Sequence, residues 1–474
     1  MGVSPSRKIA FDVLRRVEAE GAYASDLLYA ALAAHVKSAD AALATEIILG
    51  VLRWRRLLDF LLERHLKRPI SRLDLPVILA LRMGLYQLRF LDKVPARAAT
   101  NESVELVKSA RKTSAAALVN AVLRKAGSEA HSPAEAFLPP DLPLSERLGI
   151  LHSHPTWLVE RWLARLGEQQ AFALLRADNQ TPQLSCAVMD FSRREEVIAT
   201  LEKGGLQTRP GVLLRGAFSI SGGSPVRTET FRAGQISIQD EASQAVPQLL
   251  AVDAGNRVLD LCAAPGGKTA PLIRAAGKAG VVIAADRHAH RLAAMRAQLD
   301  RLGVGDAHLV ELDAEQPLPF YGQFDRILLD APCSGTGTLA RHPEIRWRLE
   351  LNQLEESHKS QVRMLRVALS QLAPGGRLVY STCSMEPEEN EQVVEEVLRD
   401  MPSIKRTPRA EAAKALTSRL APGVDADALF GGDGYFRTSR ALHHTDGFFA
   451  AVLHSADRVS MTNHARLIAG GAGK

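Results

Sequence analysis

The spacing of apolar residues changes period along the chain. Near the N-terminus Ala10, Val13, Leu14 and Val17 recur at i, i+3, i+4 and i+7, which predicts an amphipathic helix over 5–20. Between Leu43 and Leu66 a second face is held by Ile47, Val51, Trp54, Leu58 and Leu61. The helical period returns over 76–90, 101–110 and 114–125, so residues 1–128 are expected to form one all-α domain. Pro133, Pro139, Pro140, Pro143 and Pro155 then interrupt it, and proline neither donates a backbone hydrogen bond nor tolerates a helix interior. Residues 129–155 therefore read as a linker. Over 156–232 helical segments (157–178, 193–203) alternate with extended ones (183–191, 206–220), which predicts a small α+β domain. From 233 to 456 short apolar runs of buried-strand type lie at 257–261, 281–285, 308–311, 324–329 and 376–381, separated by helical segments. That alternation predicts a doubly wound parallel sheet, a Rossmann-like α/β fold. Residues 457–474, ending Gly-Gly-Ala-Gly-Lys, read as a frayed tail.

Composition narrows the class. The 474 residues are 46% apolar and 24% charged, which excludes a disordered or fibrous chain. The longest apolar stretch, 76–88, contains Arg82 and is too short to span a bilayer, so a soluble protein without membrane attachment is expected. The opening Met-Gly-Val-Ser-Pro-Ser fits an acylation pattern only in form, because Arg7 and Lys8 follow with no apolar core. Four cysteines without a CxxC pair suit a reducing cytoplasm rather than a disulfide framework or a zinc site, and a monomer is expected. His288 and His290, like His443 and His444, lack a third ligand at useful spacing and read as surface residues, so no metal is expected. The formal net charge is +6, and its distribution matters more than its size: residues 1–130 hold 21 basic and 13 acidic side chains. On a helix over 43–66, Arg53, Arg56, Arg64 and Lys67 would share a narrow arc, with Arg55, Arg68 and Arg72 beside it. Such a surface suits nucleic-acid phosphates; the alternative is an ordinary solvated face.

The chemistry-bearing motifs follow the expected strands, where ligands of doubly wound sheets sit. Asp260-Leu261-Cys262-Ala263-Ala264-Pro265-Gly266-Gly267-Lys268-Thr269 has glycines for a tight turn and close approach of backbone to a ligand. It is not a triphosphate loop, because Cys262 and Pro265 stand where that motif needs a small residue and a flexible loop, and G-x-G-x-x-G is also absent. Asp286, at the end of the next strand, is placed to accept ribose hydroxyls, or else to cap the following helix. Asp313 and Asp330 end the third and fourth strands, and carboxylates at one edge point to an adenosine-bearing ligand without a triphosphate. Two further motifs, Asp330-Ala-Pro-Cys333-Ser-Gly and Ser-Thr-Cys383-Ser, put a cysteine just beyond each of two strands. A lone cysteine is usually a small core residue. A thiolate that adds to C6 of cytosine while an acid binds N3, however, turns carbon-5 into a nucleophile, and S-adenosyl-L-methionine could then supply a methyl group.

These motifs in this order resemble the RNA (cytosine-5) methyltransferase family over about 235–455, including Gln239-Asp-Glu-Ala-Ser243 and Asp446-Gly-Phe-Phe-Ala450. The helical front resembles the RNA-binding antitermination factor NusB. The resemblance implies Cys383 as nucleophile and Cys333 as the residue assisting release of methylated RNA. It implies Cys262, Ala263, Ala264, Pro265, Gly266, Gly267, Lys268, Asp286, Asp313 and Asp330 as the cofactor site, with Asp330 also reaching the base. Together the two parts imply 16S rRNA as partner and its cytosine 967 as target. A DNA-type enzyme would instead use Cys333 as nucleophile, and an RNA-binding assembly factor with an inert fold would use neither. Two segments stay open. Arg341, Arg346, Arg348 and Trp347 either clamp RNA or form a solvated helix start with the indole packed inside, and 409–445, with its Gly432-Asp433-Gly434, aligns ambiguously.

Overall fold

The computed structural model describes residues 2–33 and 37–455; the expected tail at 457–474 lies outside them. Residues up to Pro182 together with Thr338–Leu349 form one compact unit, and Gln183–Gly337 with the residues from Glu350 onward form a second. Among the described residues no helix is long and apolar enough to cross a membrane.

The first unit is helical, with Ala10, Leu14, Val17, Ile47, Val51 and Leu58 in its core. The expected single helix across 43–66 is two, Ser38–Arg53 and Arg55–Glu63, parted at Trp54, whose φ of −102° and ψ of 15° leave the helical region. That break takes the basic arc apart. Arg53 is buried and donates to the Ala340 carbonyl, and Arg56 donates to that of His154 at 2.6 Å. Arg55 pairs with Glu18 at 3.3 Å and Arg64 with Glu129 at 2.6 Å. The phosphate-facing reading of Arg53, Arg55 and Arg56 is thus corrected, because their guanidiniums bond inside the unit; Arg64, in a surface ion pair, stays exposed with Lys67, Arg68 and Arg72. The segment at 341–348 is also neither clamp nor solvated helix start. Its short helix Pro343–Trp347 is packed into this unit, with Arg346 fully buried and donating to Ser153 O and Asn179 Oδ1, both at 3.0 Å. The Trp347 indole donates to Leu52 O at 2.6 Å. The helix Thr156–Asp178 belongs here too, through Leu158 and Trp162.

The second unit carries two sheets. A small antiparallel one contains β1 (Leu184–Val188), β2 (Gln207–Pro210), β3 (Ala217–Ser221) and β4 (Ile236–Ile238) in the order β2-β3-β1-β4. One face packs Cys186, Phe218 and Ile236 on the helix Arg194–Lys203. The large sheet is built on β5 (Arg257–Leu261), β6 (Val281–Asp286), β7 (His308–Glu311), β8 (Phe324–Asp330) and β9 (Leu372–Thr382), all parallel. β10 (Ile404–Arg406), β11 (Phe436–Thr438) and β12 (Phe448–Ser455) extend it antiparallel, so the sheet is mixed rather than wholly parallel. The strand path runs β10-β12-β9-β8-β5-β6-β7. β5, β8 and β9 are central and their Leu259, Leu328 and Val379 are fully buried, as expected of strands covered on both faces.

Candidate active site

Register decides what meets at the carboxyl edge. Leu261 pairs with Leu329, and Asp330 with Ser381, so the residues after β5, β8 and β9 emerge side by side. Ser381 Oγ donates to Asp330 Oδ1 and Lys268 Nζ to Oδ2, each at 2.7 Å. The two loops beyond then fold against each other: Gly337 N donates to Cys383 O at 2.9 Å, and the sulfurs of Cys333 and Cys383 stand 3.4 Å apart. Gly337 in turn crosses Gly447, whose carbonyl a Cβ at Gly337 would meet at 2.1 Å, so only glycine fits there.

Two thiols of the site are held protonated. The Cys333 pKa is raised well above the usual thiol value by its hydrogen bond with Cys383, then by burial and by the charge of Cys383 itself. Cys262, at φ +59° in the bend after β5, is also raised, by burial and then by Asp330, Asp286 and Asp260. Burial disfavours the Lys268 ammonium, but Asp330, with smaller help from Cys383 and Asp260, outweighs it and raises the pKa. Lys268 thereby stands as the cation whose ammonium feels Cys383.

A cavity of about 240 Å³ is lined by Cys262, Ala263, Ala264, Pro265, Gly267, Lys268 and Asp330, together with Asp260, Ser237, Gln239, Ser243 and Gln298. Gly266 supports the turn from behind, at φ +94°, where a side chain would strike Met295. Asp286 and Asp313 do not line this cavity. Asp286 is buried, accepting from His288 N at 3.1 Å and Ala264 N at 3.3 Å and pairing with Arg291 at 3.2 Å, while Asp313 accepts from Glu315 N at 3.0 Å. The helix Ala289–Leu302 starts after His288 and has no side-chain cap, so Asp286 closes a turn ahead of it and does not cap it.

Three participants were missed in the sequence. Asp260 is buried on the cavity wall with Oδ2 bonded to Thr269 at 2.6 Å and Oδ1 without a partner, and burial pushes its pKa up to about 7. Ser381 orients Asp330. Glu389 is buried and grips the Cys333 loop through Ser334 N, at 2.7 Å, and Ser334 Oγ. The carboxylate at the start of the Gly-Gly motif was a legible signal for Asp260; nothing in the acidic run 386–391 singled out Glu389. Among the described residues no cluster of histidine, cysteine or carboxylate could hold a metal ion.

Three family models match the chain: the NusB family over 4–128, an RsmF/B-like ferredoxin-like domain over 154–227, and 16S rRNA methyltransferase RsmB/F over 247–454. A probable ribosomal RNA small subunit methyltransferase B of Bacillus subtilis is 32% identical over 91% of this chain and 97% of its own. The ribosomal RNA small subunit methyltransferase B of Klebsiella pneumoniae is 33% identical over 91% of this chain and 96% of its own. Among solved structures, that of PH0851 superposes with a TM-score of 0.79 at 25% identity, covering 96% of this chain and 99% of its own.

Proposed function

The chain belongs to the RsmB/F family of 16S rRNA methyltransferases, and from that premise we propose that it methylates carbon-5 of cytosine in 16S rRNA, at cytosine 967, with Cys383 as nucleophile. The observation that carries the assignment is the pairing of two sulfurs at 3.4 Å beside the Lys268–Asp330 ion pair.

The cofactor is S-adenosyl-L-methionine, which supplies an electrophilic methyl on a sulfonium. The cavity suits it: Asp260 offers a bare, buried carboxyl oxygen to a cationic ligand, and a buried polar atom of that kind is costly without a partner. Cys262, Ala263, Ala264, Pro265, Gly267 and Lys268 would wall it, with Gly266 shaping the turn; Asp286 and Asp313, which lie outside the cavity lining, would serve the ribose end beyond it. Lys268 and Asp330 orient the base, Asp330 as acceptor and the ammonium as the proton-bearing partner near N3. The Cys383 thiolate adds to C6, the displaced electron pair passes to C5, and C5 takes the methyl as its bond to the sulfonium sulfur breaks and that sulfur leaves as a neutral thioether. Loss of the C5 proton then lets the C5–C6 double bond re-form as Cys383 leaves. Cys333, beside the leaving sulfur, assists that release.

Two variants test the roles. Cys383→Ala should be inactive. Cys333→Ala should trap a covalent RNA adduct that migrates as a shifted band under denaturing conditions. The reverse pattern would make Cys333 the nucleophile, as in a DNA-type enzyme. Bisulfite sequencing of 16S rRNA from cells with and without the protein tests cytosine 967, which must lose its mark in the deletion.

A further inference from the structure

Next to the cofactor cavity lies a larger one, about 460 Å³, that the reaction above does not use. It lies between the small sheet and the helix Thr269–Ala276: Ala187 and Ser237 line one wall, Ala270 and Arg274 another. Ser237, Gln239 and Gly267 line both cavities, so the two are neighbours across a shared wall. Its volume falls in the range of pockets for small ligands, roughly 300–1,000 Å³.

The lining is unusual in charge. It contains Arg215, Arg274 and Arg419 and neither aspartate nor glutamate. Arg215 and Arg274 donate to the carbonyls of Ser418 and Met189, which fixes the guanidiniums without neutralising them. The carboxylate that Arg274 feels, Asp190, is exposed, and its effect is smaller than that of burial. Arg419 is exposed. The Arg215 guanidinium lies 5.3 Å from the ring centroid of Phe191, which is 48% exposed, large for an aromatic side chain. Fixed guanidiniums beside an exposed aromatic face form the pairing that takes a phosphate and a stacked base together.

We infer that this cavity is a second nucleotide subsite, holding an unpaired nucleotide of the substrate RNA that flanks the target cytosine. The arginines take its phosphate and Phe191 stacks on its base. The inference rests on RNA being the substrate, and it adds a largely sequence-independent grip on the strand beside the target that the cysteines cannot provide.

The full-length protein is assayed on a 16S rRNA fragment as Arg419→Ala and Phe191→Ala, two exposed positions whose replacement leaves the core intact. Each variant should raise KM for RNA about tenfold while leaving kcat and S-adenosyl-L-methionine affinity unchanged. Losing one phosphate contact should also flatten the dependence of log KM on log salt by about 0.7 in Arg419→Ala, and not in Phe191→Ala. RNA carrying 4-thiouridine beside the target should crosslink to Phe191. Unchanged KM in both variants, or a fall in kcat alone, overturns the subsite. Binding of free 5′-nucleoside monophosphates that the variants abolish, with RNA kinetics unaltered, overturns its assignment to RNA. If the wild type methylates no RNA, the reading of the reaction fails, and the crosslink still decides this one.

Discussion

Asp260 is the residue whose chemistry most exceeds its place in the motif. Sequence put it two positions before Cys262, but only the packed site shows one oxygen on Thr269 and the other bare. Burial raises its pKa from 3.8 to about 7, partly opposed by the Thr269 hydroxyl. The neutral carboxyl is thus the form that folding favours, so the contribution of Asp260 to the stability of the unliganded protein is full below its unfolded value near 3.8 and is lost as pH rises through about 7. A cationic cofactor reverses the preference. S-adenosyl-L-methionine affinity should rise between pH 6 and 8 with release of a proton, and Asp260→Asn should bind more weakly with no pH dependence. Calorimetry in buffers of different ionisation enthalpy reads both, and an unchanged pH profile in the variant would remove Asp260 from the site.

At the scale of elements, strands and loops were unequally legible. The five parallel strands announced themselves as apolar runs; for β5, β8 and β9 the reason is cover on both faces, which needs nearly continuous burial, whereas β7 is a partly exposed edge strand. β12 carries such a run as well, yet Phe448–Ala450 read as part of a motif. Its pairing with β11, Thr438 against Phe448, makes the ambiguous segment before it one arm of a hairpin. The run 386–391 shows the opposite failure: acids look like surface in a sequence, but Glu386 and Glu389 are fully buried here. Glu389 acts as a positioning residue, holding the Cys333 loop at Ser334 while the Tyr380 hydroxyl donates to its carbonyl at 2.6 Å. Glu389→Gln weakens that grip and should cost about 1–3 kcal/mol in thermal or denaturant unfolding. It should also build up the covalent RNA adduct, as Cys333→Ala does, with cofactor affinity intact. Lower stability without adduct would reduce Glu389 to a structural role.

For the whole molecule, the uneven charge remains the broadest clue to an RNA partner, but the residues that express it have changed. Arg53, Arg55 and Arg56 bond within the first unit and Arg64 is held in a surface ion pair, which leaves Lys67, Arg68 and Arg72 as exposed cations of that stretch outside those bonds. Replacing those three with alanine should weaken RNA binding and flatten its salt dependence, with the melting temperature unmoved. Arg53→Ala should instead lower the melting temperature; filter binding across a salt series, beside a melt, separates the two outcomes. The sequence by itself determined the helical front, the α/β back, the motifs and the two cysteines, because periodicity and motif spacing are local properties of the chain. Only the tertiary structure decided which charges are spent inside and which acids are buried. It also brought Cys333 and Cys383, fifty residues apart in the chain, to 3.4 Å, because strand register and burial depend on partners that no local pattern contains.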